Sequence, residues 1–373
     1  MVCQDCGQEA PETRFCVRCG HRQDRAVVAP SRRAFSADPS ESALGAHVVS
    51  TLFPQLPRDD MTAFRSILLF GVVVVVALGV VGLFPVALLA AAVLVPLVMV
   101  TYLYDVDVYE DEPLRVYILT FAWGAASGAM MGLALRALVD LDPLGSGPDA
   151  GFILARGVFV PLVSGALMVA GPLVLLPYKR FNDVLDGATF GATSAVAFVG
   201  AQVIAQSIDL FSAGLQPGGD TLLWIARLLT HGVALPLVAA GAAGAVCGAA
   251  WLRFRAPVRD RHKLGWLGRP LLAAVVGSVL LILAALAMLL LREVLALLVV
   301  VVLAVVAILW LRMLIHLGLI QESLESEIGE PVDCVNCGQP TPSHTFCAEC
   351  GVALRALPKG ARRGSPRAMR TTG

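Results

Sequence analysis

Eight cysteines stand in two copies of one pattern, one near each end of the chain, and their spacing is that of a metal site. Cys3, Cys6, Cys16 and Cys19 form the first copy; Cys334, Cys337, Cys347 and Cys350 form the second. Both copies read C-x2-C-G-Q-x2-P-x3-F-C-x2-C-G. Two C-x2-C knuckles supply four thiolates, a donor set suited to a tetrahedral zinc ion. A glycine follows each knuckle, at Gly7, Gly20, Gly338 and Gly351, where the backbone has to fold back sharply. The knuckles lie so close together that neither module can bury much core. Each is expected to take its folding free energy from the metal, about 10–16 kcal/mol in comparable peptides. Paired disulfides are the competing reading and would suit a small secreted domain. The duplicated CxxCG pattern favours two structural zinc ions. The ninth cysteine, Cys247, lies in an apolar stretch and reads as a small packing residue.

These modules flank a very apolar middle. Of the 373 residues 57% are hydrophobic and only 15% charged, with mean hydropathy +0.77. Soluble domains carry about 45–50% apolar and about 25% charged residues. The composition therefore predicts an all-α polytopic membrane bundle with two small zinc-ribbon modules. The expected order is a ribbon over 1–22, a linker over 23–63 and a transmembrane domain over 64–318. A connecting helix over 319–332, the second ribbon over 333–353 and a basic tail over 354–373 complete it. Eight apolar segments, near 64–84, 86–104, 115–139, 151–176, 187–208, 222–252, 268–291 and 294–316, approach the length a bilayer-spanning helix needs. The eighth is expected to run on into an amphipathic helix with Ile320, Leu324 and Ile328 on one face, ended by Gly329 and Pro331.

Charge orients this bundle. With both termini in the cytoplasm, only Arg136, Arg156, Arg227 and Arg292 of the 28 Lys and Arg fall outside, where Asp140, Asp142, Asp149, Asp209 and Asp220 collect. An even number of spans also places both ribbons in one reducing compartment, where thiols remain available to zinc. No cleavable signal peptide is expected, because the first sixty residues are polar and hold a metal motif. Arginine outnumbers lysine 25 to 3, a bias of GC-rich bacterial coding, so a bacterial plasma membrane is the expected location. Membrane lipid is then one partner. Arg14, Arg18, Arg22 and Arg25 surround the first ribbon, but the second has Glu349 and no such cluster, so a protein partner is favoured over nucleic acid.

Small residues four apart stripe three spans: Gly124, Gly128 and Gly132; Gly187 and Gly191; Gly244 and Gly248. They predict close helix packing inside the bundle. Arg136, Arg156 and Arg227 lie near span ends, where snorkelling to the outer interface is expected. His231, one helical turn beyond Arg227, reads as a hydrogen-bonded interior residue.

Two further stretches carry a resemblance. Asp107-x-Tyr109-Glu110-x-Glu112-Pro113 precedes Phe121-x-Trp123-Gly124. Pro161-Leu162-Val163 precedes Lys179-Arg180 and Phe181-x-Asp183-x-Leu185-Asp186-Gly187. In order and spacing, across about residues 64–250, these resemble the PrsW family of intramembrane metalloproteases. The resemblance implies a helical membrane domain whose catalytic glutamates and lysine follow the P-L-V motif. Here those places hold Ser164, Gly165 and Met168; the later glutamate and asparagine places hold Ala201 and Gln202, and Thr230-His231 stands near the histidine motif. Serine, glycine and methionine supply no carboxylate to hold a metal or to take a proton from water. The expected function is therefore a non-catalytic PrsW-like scaffold, sensor or adaptor. The alternative is a divergent metalloprotease that has moved its ligands to Asp183, Asp186 or His231.

Overall fold

The computed structural model describes residues 1–4, 7–23, 51–52, 62–105, 114–139, 150–179, 181–208, 220–256, 258, 265–325, 328–334, 337–352 and 354. Cys6, most of the linker, the acidic loop from Asp107 to Pro113, Arg180, Asp140, Asp142, Asp149, Asp209, Arg25 and the tail beyond 354 lie outside these residues. The chain is mostly helical. Its helices are α1 (Thr62–Val80), α2 (Phe84–Asp105), α3 (Leu114–Val139), α4 (Ala150–Val174) and α5 (Val184–Ser207). They continue with α6 (Thr221–Phe254), α7 (Pro270–Leu290) and α8 (Glu293–Glu325). Seven of them, α2 to α8, are long and apolar enough to cross a membrane; α1 contributes a shorter apolar stretch, Phe64–Val80. All eight expected segments are thus helical.

The limits shift for local reasons. The first segment stops at Val80 rather than 84 because Gly82, at φ +81°, ends it in a left-handed turn. The Gly82 and Leu83 amides close back on the Gly79 and Leu78 carbonyls, the hydrogen-bond pair of a glycine-terminated helix. The fifth begins earlier than expected, at Val184, because Asp183 and Asp186 form a capping box: the Asp183 amide donates to the Asp186 carboxylate at 3.1 Å. The overlong sixth segment is one helix carrying a π-turn at Thr230–Ala234, and α4 has another at Ala155–Phe159. Helix α8 spans 33 residues and stops at Glu325. Pro331 and Val332, expected at the end of the connecting helix, instead open strand β1 (Pro331–Asp333), antiparallel to β2 (Pro340–Pro342), with Val332 opposite Thr341.

Helix α5 is the axis of the bundle and is buried almost along its whole length. The glycine stripes explain how. A Cβ on Gly128 of α3 would lie 2.1 Å from the Phe198 carbonyl oxygen of α5, and one on Gly191 of α5 would lie 2.5 Å from the Ala243 carbonyl of α6. Backbones can approach this closely only where no side chain intervenes. Cys247 is fully buried at the same α5–α6 seam, as a packing residue. Phe190 sits at the centre of an aromatic cluster with Tyr117, Phe181 and Trp251, ring centroids 5.2–6.0 Å away. The outer surface is apolar: Leu69, Phe70, Val80, Leu271 and Leu298 each leave more than half of their surface exposed.

Candidate functional site

Two places gather side chains that can do chemistry. The first is the pair of cysteine modules. In each knuckle the glycine amide bonds back to the first cysteine carbonyl: Gly7 to Cys3, Gly20 to Cys16, Gly338 to Cys334 and Gly351 to Cys347, at 2.7–3.0 Å. All four glycines have φ between 68° and 73°, the left-handed region that a side chain disfavours. The thiols therefore turn inward. Cys334, Cys337, Cys347 and Cys350 form one cluster, and Cys3, Cys16 and Cys19 form the described part of the other, with Sγ atoms within 4.8 Å of one another.

The separations fit a metal. Cys3 and Cys19 are 3.7 Å apart at Sγ, Cys334 and Cys350 3.7 Å, and Cys337 and Cys347 3.8 Å. Bonds of about 2.3 Å from a tetrahedral zinc place sulfurs about 3.8 Å from each other, whereas a disulfide needs about 2.05 Å. The described cysteines are free thiols. Backbone amides of His21 and Glu349 point at the Cys19 and Cys347 sulfurs at 3.4 Å, which favours thiolates there. Thiol-to-thiol hydrogen bonding has the same effect. The Cys19 thiol lowers Cys16 to about 5, and the Cys334 thiol holds Cys347 far below the ordinary thiol range while Cys334, as donor, is pushed up. Both clusters can thus bind a metal ion, and a full set of four thiolates leaves no open position for water.

The two modules are joined. The Phe15 amide donates to the Ala348 carbonyl at 2.9 Å, and the Phe346 amide to the Val17 carbonyl at 3.0 Å. Phe346 and Ala348 are the second-copy counterparts of Phe15 and Val17, so this contact is two-fold symmetric in kind, like an isologous dimer interface within one chain. Phe15 lies against Gly351, and buried His344 meets the Val17 carbonyl through Nδ1 at 2.9 Å. Arg14 and Glu349 pair at 3.8 Å on the surface, worth no more than about 1 kcal/mol.

The second place is a cavity of about 240 Å³ inside the bundle, lined from α3, α4, α5, α6 and α7. Ser164, Met168, Gln202 and His231, four positions singled out by the family resemblance, all line it. Gly165, Ala201 and Thr230 do not; a Cβ on Gly165 would meet Leu281 of α7 at 3.0 Å. Arg156 also lines the cavity. It does not simply reach outward as expected, for its guanidinium donates to the Leu135 carbonyl at 2.9 Å and covers the Phe152 ring. Arg227 is bonded to Glu293, at the start of α8, and stacks on Trp224. Sequence reasoning offered His231, one turn away, as the partner of Arg227 and missed Glu293, which is distant along the chain and looks like an ordinary acidic helix start.

Asp183 and Asp186 lie elsewhere. They cap the opposite end of α5, about 24 Å of helix from Gln202 at 1.5 Å per residue. Other motif residues also serve packing: Phe181 fills the aromatic cluster, and Trp123 Nε1 donates to the Leu167 carbonyl of α4 at 2.8 Å. Gln206 and the two π-turns were not anticipated, and no local signal marks a π-turn. Compared with family models, curated proteins and solved structures, the chain matches none.

Proposed function

We propose that this chain is an eight-span membrane protein, distantly PrsW-like and non-catalytic, that serves as a scaffold, sensor or adaptor through a pair of zinc ribbons. The observation that carries this reading is the convergence of Ser164, Met168, Gln202 and His231 on one cavity with no carboxylate among its described lining residues. Positions chosen by resemblance alone meet in space, which favours common ancestry of the bundle. The groups found there cannot hold a catalytic metal and deprotonate its water as a Glu–Glu pair would. Asp183 and Asp186 are engaged in a helix cap remote from His231, so a relocated ligand set of these three has no shared site.

Embedding in a bilayer is supported by seven long apolar helices and by the exposed leucine, valine and phenylalanine side chains around the bundle. The positive-inside pattern supports a cytoplasmic position for the ribbons. Each ribbon holds one structural zinc, through Cys3, Cys6, Cys16 and Cys19 or through Cys334, Cys337, Cys347 and Cys350. Their joined surface is the natural platform for a protein partner. Arg14, one of the arginines around the first ribbon, pairs with Glu349.

Two measurements test the proposal. Affinity capture with the intact chain should recover a partner that is lost when Cys347→Ser removes one metal site; equal recovery from both would overturn the adaptor role. Substrate-cleavage assays on wild type, Asp183→Ala, Asp186→Ala and His231→Ala should show no metal-dependent cleavage. Cleavage by wild type that any of these variants abolishes would establish the protease instead.

A further inference from the structure

The half-open cavity between the helices holds more hydrogen-bonding capacity than a packing defect requires. Its two basic residues, Arg156 and His231, each sit on a π-turn, one in α4 and one in α6. Such turns widen a helix locally and are frequent at functional sites; two meeting at one cavity in an otherwise α-helical bundle is a built feature. Gln202 and Gln206, one turn apart on α5, line the same space. Ser164 is only 6% exposed, lines the cavity, and its hydroxyl has no hydrogen-bond partner. A buried hydroxyl in that state costs free energy unless something polar enters.

Charge selects what enters. Arg156 spends one donor on the Leu135 carbonyl, and a guanidinium carries five N–H groups. Among the described lining residues there is no Asp or Glu, so a cation would find no anionic ligand among them. A neutral solute would leave the guanidinium without a counter-charge among the described lining residues. The remaining wall is apolar, with Leu281, Met288 and Leu289 contributed by α7. Its volume admits an acidic group and the first carbons of a chain rather than a folded peptide segment.

We propose that this cavity binds the acidic group of a single-chain amphiphile, a carboxylate or phosphate ester on an alkyl tail. Arg156, His231, Gln202, Gln206 and Ser164 hold the acid, and the α7 wall receives the start of the tail. This inference rests on the proposed membrane embedding and would make the scaffold a lipid-responsive one.

The test uses the full chain in phosphatidylcholine nanodiscs, with retention of radiolabelled oleate, lysophosphatidic acid or oleyl alcohol measured above that of empty discs. Saturable binding of about one oleate or one lysophosphatidic acid per chain, with none of the alcohol, is expected; the acid that binds identifies the source. Arg156→Gln should weaken binding at least tenfold, whereas Arg136→Gln, outside the cavity, should not. Ala285→Leu, which fills the wall and leaves the cation in place, should weaken it as well and decides the matter if Arg156→Gln does not fold. Equal retention of alcohol and acid, no retention above empty discs, or unchanged binding by Ala285→Leu would overturn the proposal. Carbonate extraction of cell membranes reads embedding separately, so an extractable chain would fault the membrane reading and an embedded chain without binding the cavity assignment alone.

Discussion

At the scale of single residues, the cysteines and the groups beside them carry the sharpest expectations. Metal analysis of purified protein should give two zinc ions per chain, and Cys16→Ser should leave one, since the cluster of Cys3, Cys16 and Cys19 is separate from that of Cys334, Cys337, Cys347 and Cys350. A ratio near zero, or ribbon cysteines recovered as disulfides, would contradict the assignment. His344 makes a different prediction. Its Nδ1 contact with the Val17 carbonyl lies between modules rather than within one. His344→Ala should therefore lower cross-linking between the first and second ribbons while zinc content stays at two. Loss of that hydrogen bond costs about 0.5–1.5 kcal/mol, enough to loosen a contact that keeps its two backbone bonds, without unfolding either module.

At the scale of elements, the bundle depends on backbones that touch. Gly128→Ala would force a methyl toward the Phe198 carbonyl, which belongs to backbone and cannot swing aside. Overpacking of this kind costs about 1–3 kcal/mol, so thermal unfolding in detergent should shift downward. Gly79 in α1 is the matched control: a Cβ there meets nothing within 4 Å. Gly79→Ala should be neutral or slightly stabilising, because alanine favours a helix by up to about 1 kcal/mol over glycine. An equal shift for both would mean that α3 and α5 are not in close contact. Asp183→Ala removes the cap of α5 and should cost about 0.5–2 kcal/mol.

At the scale of the whole molecule, the direct contact of Phe15 with Ala348 puts both ribbons on the same side of the bundle. The proposed eight crossings with cytoplasmic ribbons predict that labelling of cysteines introduced at Gly145 and Leu215 succeeds from outside the cell. Asp260→Cys should react only after permeabilisation. Labelling of residue 260 from outside would mean a wrong span count or a reversed orientation. Helix α8, about 50 Å long, exceeds the roughly 30 Å hydrocarbon thickness of a bilayer.

Much of this was legible in the chain itself. Metal-site chemistry follows from thiol spacing and glycine placement, both local. The apolar segments and their helical form follow from hydropathy and from the need to satisfy backbone groups without water. Gly124, Gly128, Gly187 and Gly191 marked packing, though not which helix would approach. Tertiary structure alone decided that Phe15 and Phe346 amides exchange carbonyls, because that contact joins opposite ends of the chain. It alone paired Arg227 with Glu293 and turned Arg156 toward Leu135. It also drew Ser164, Gln202 and His231 around one space, since π-turns and the convergence of five helices leave no mark on residue spacing. Asp183 and Asp186, candidate ligands by type, became a helix cap by position. Sequence constrains what is near along the chain; which distant groups share an environment is set by how the helices pack.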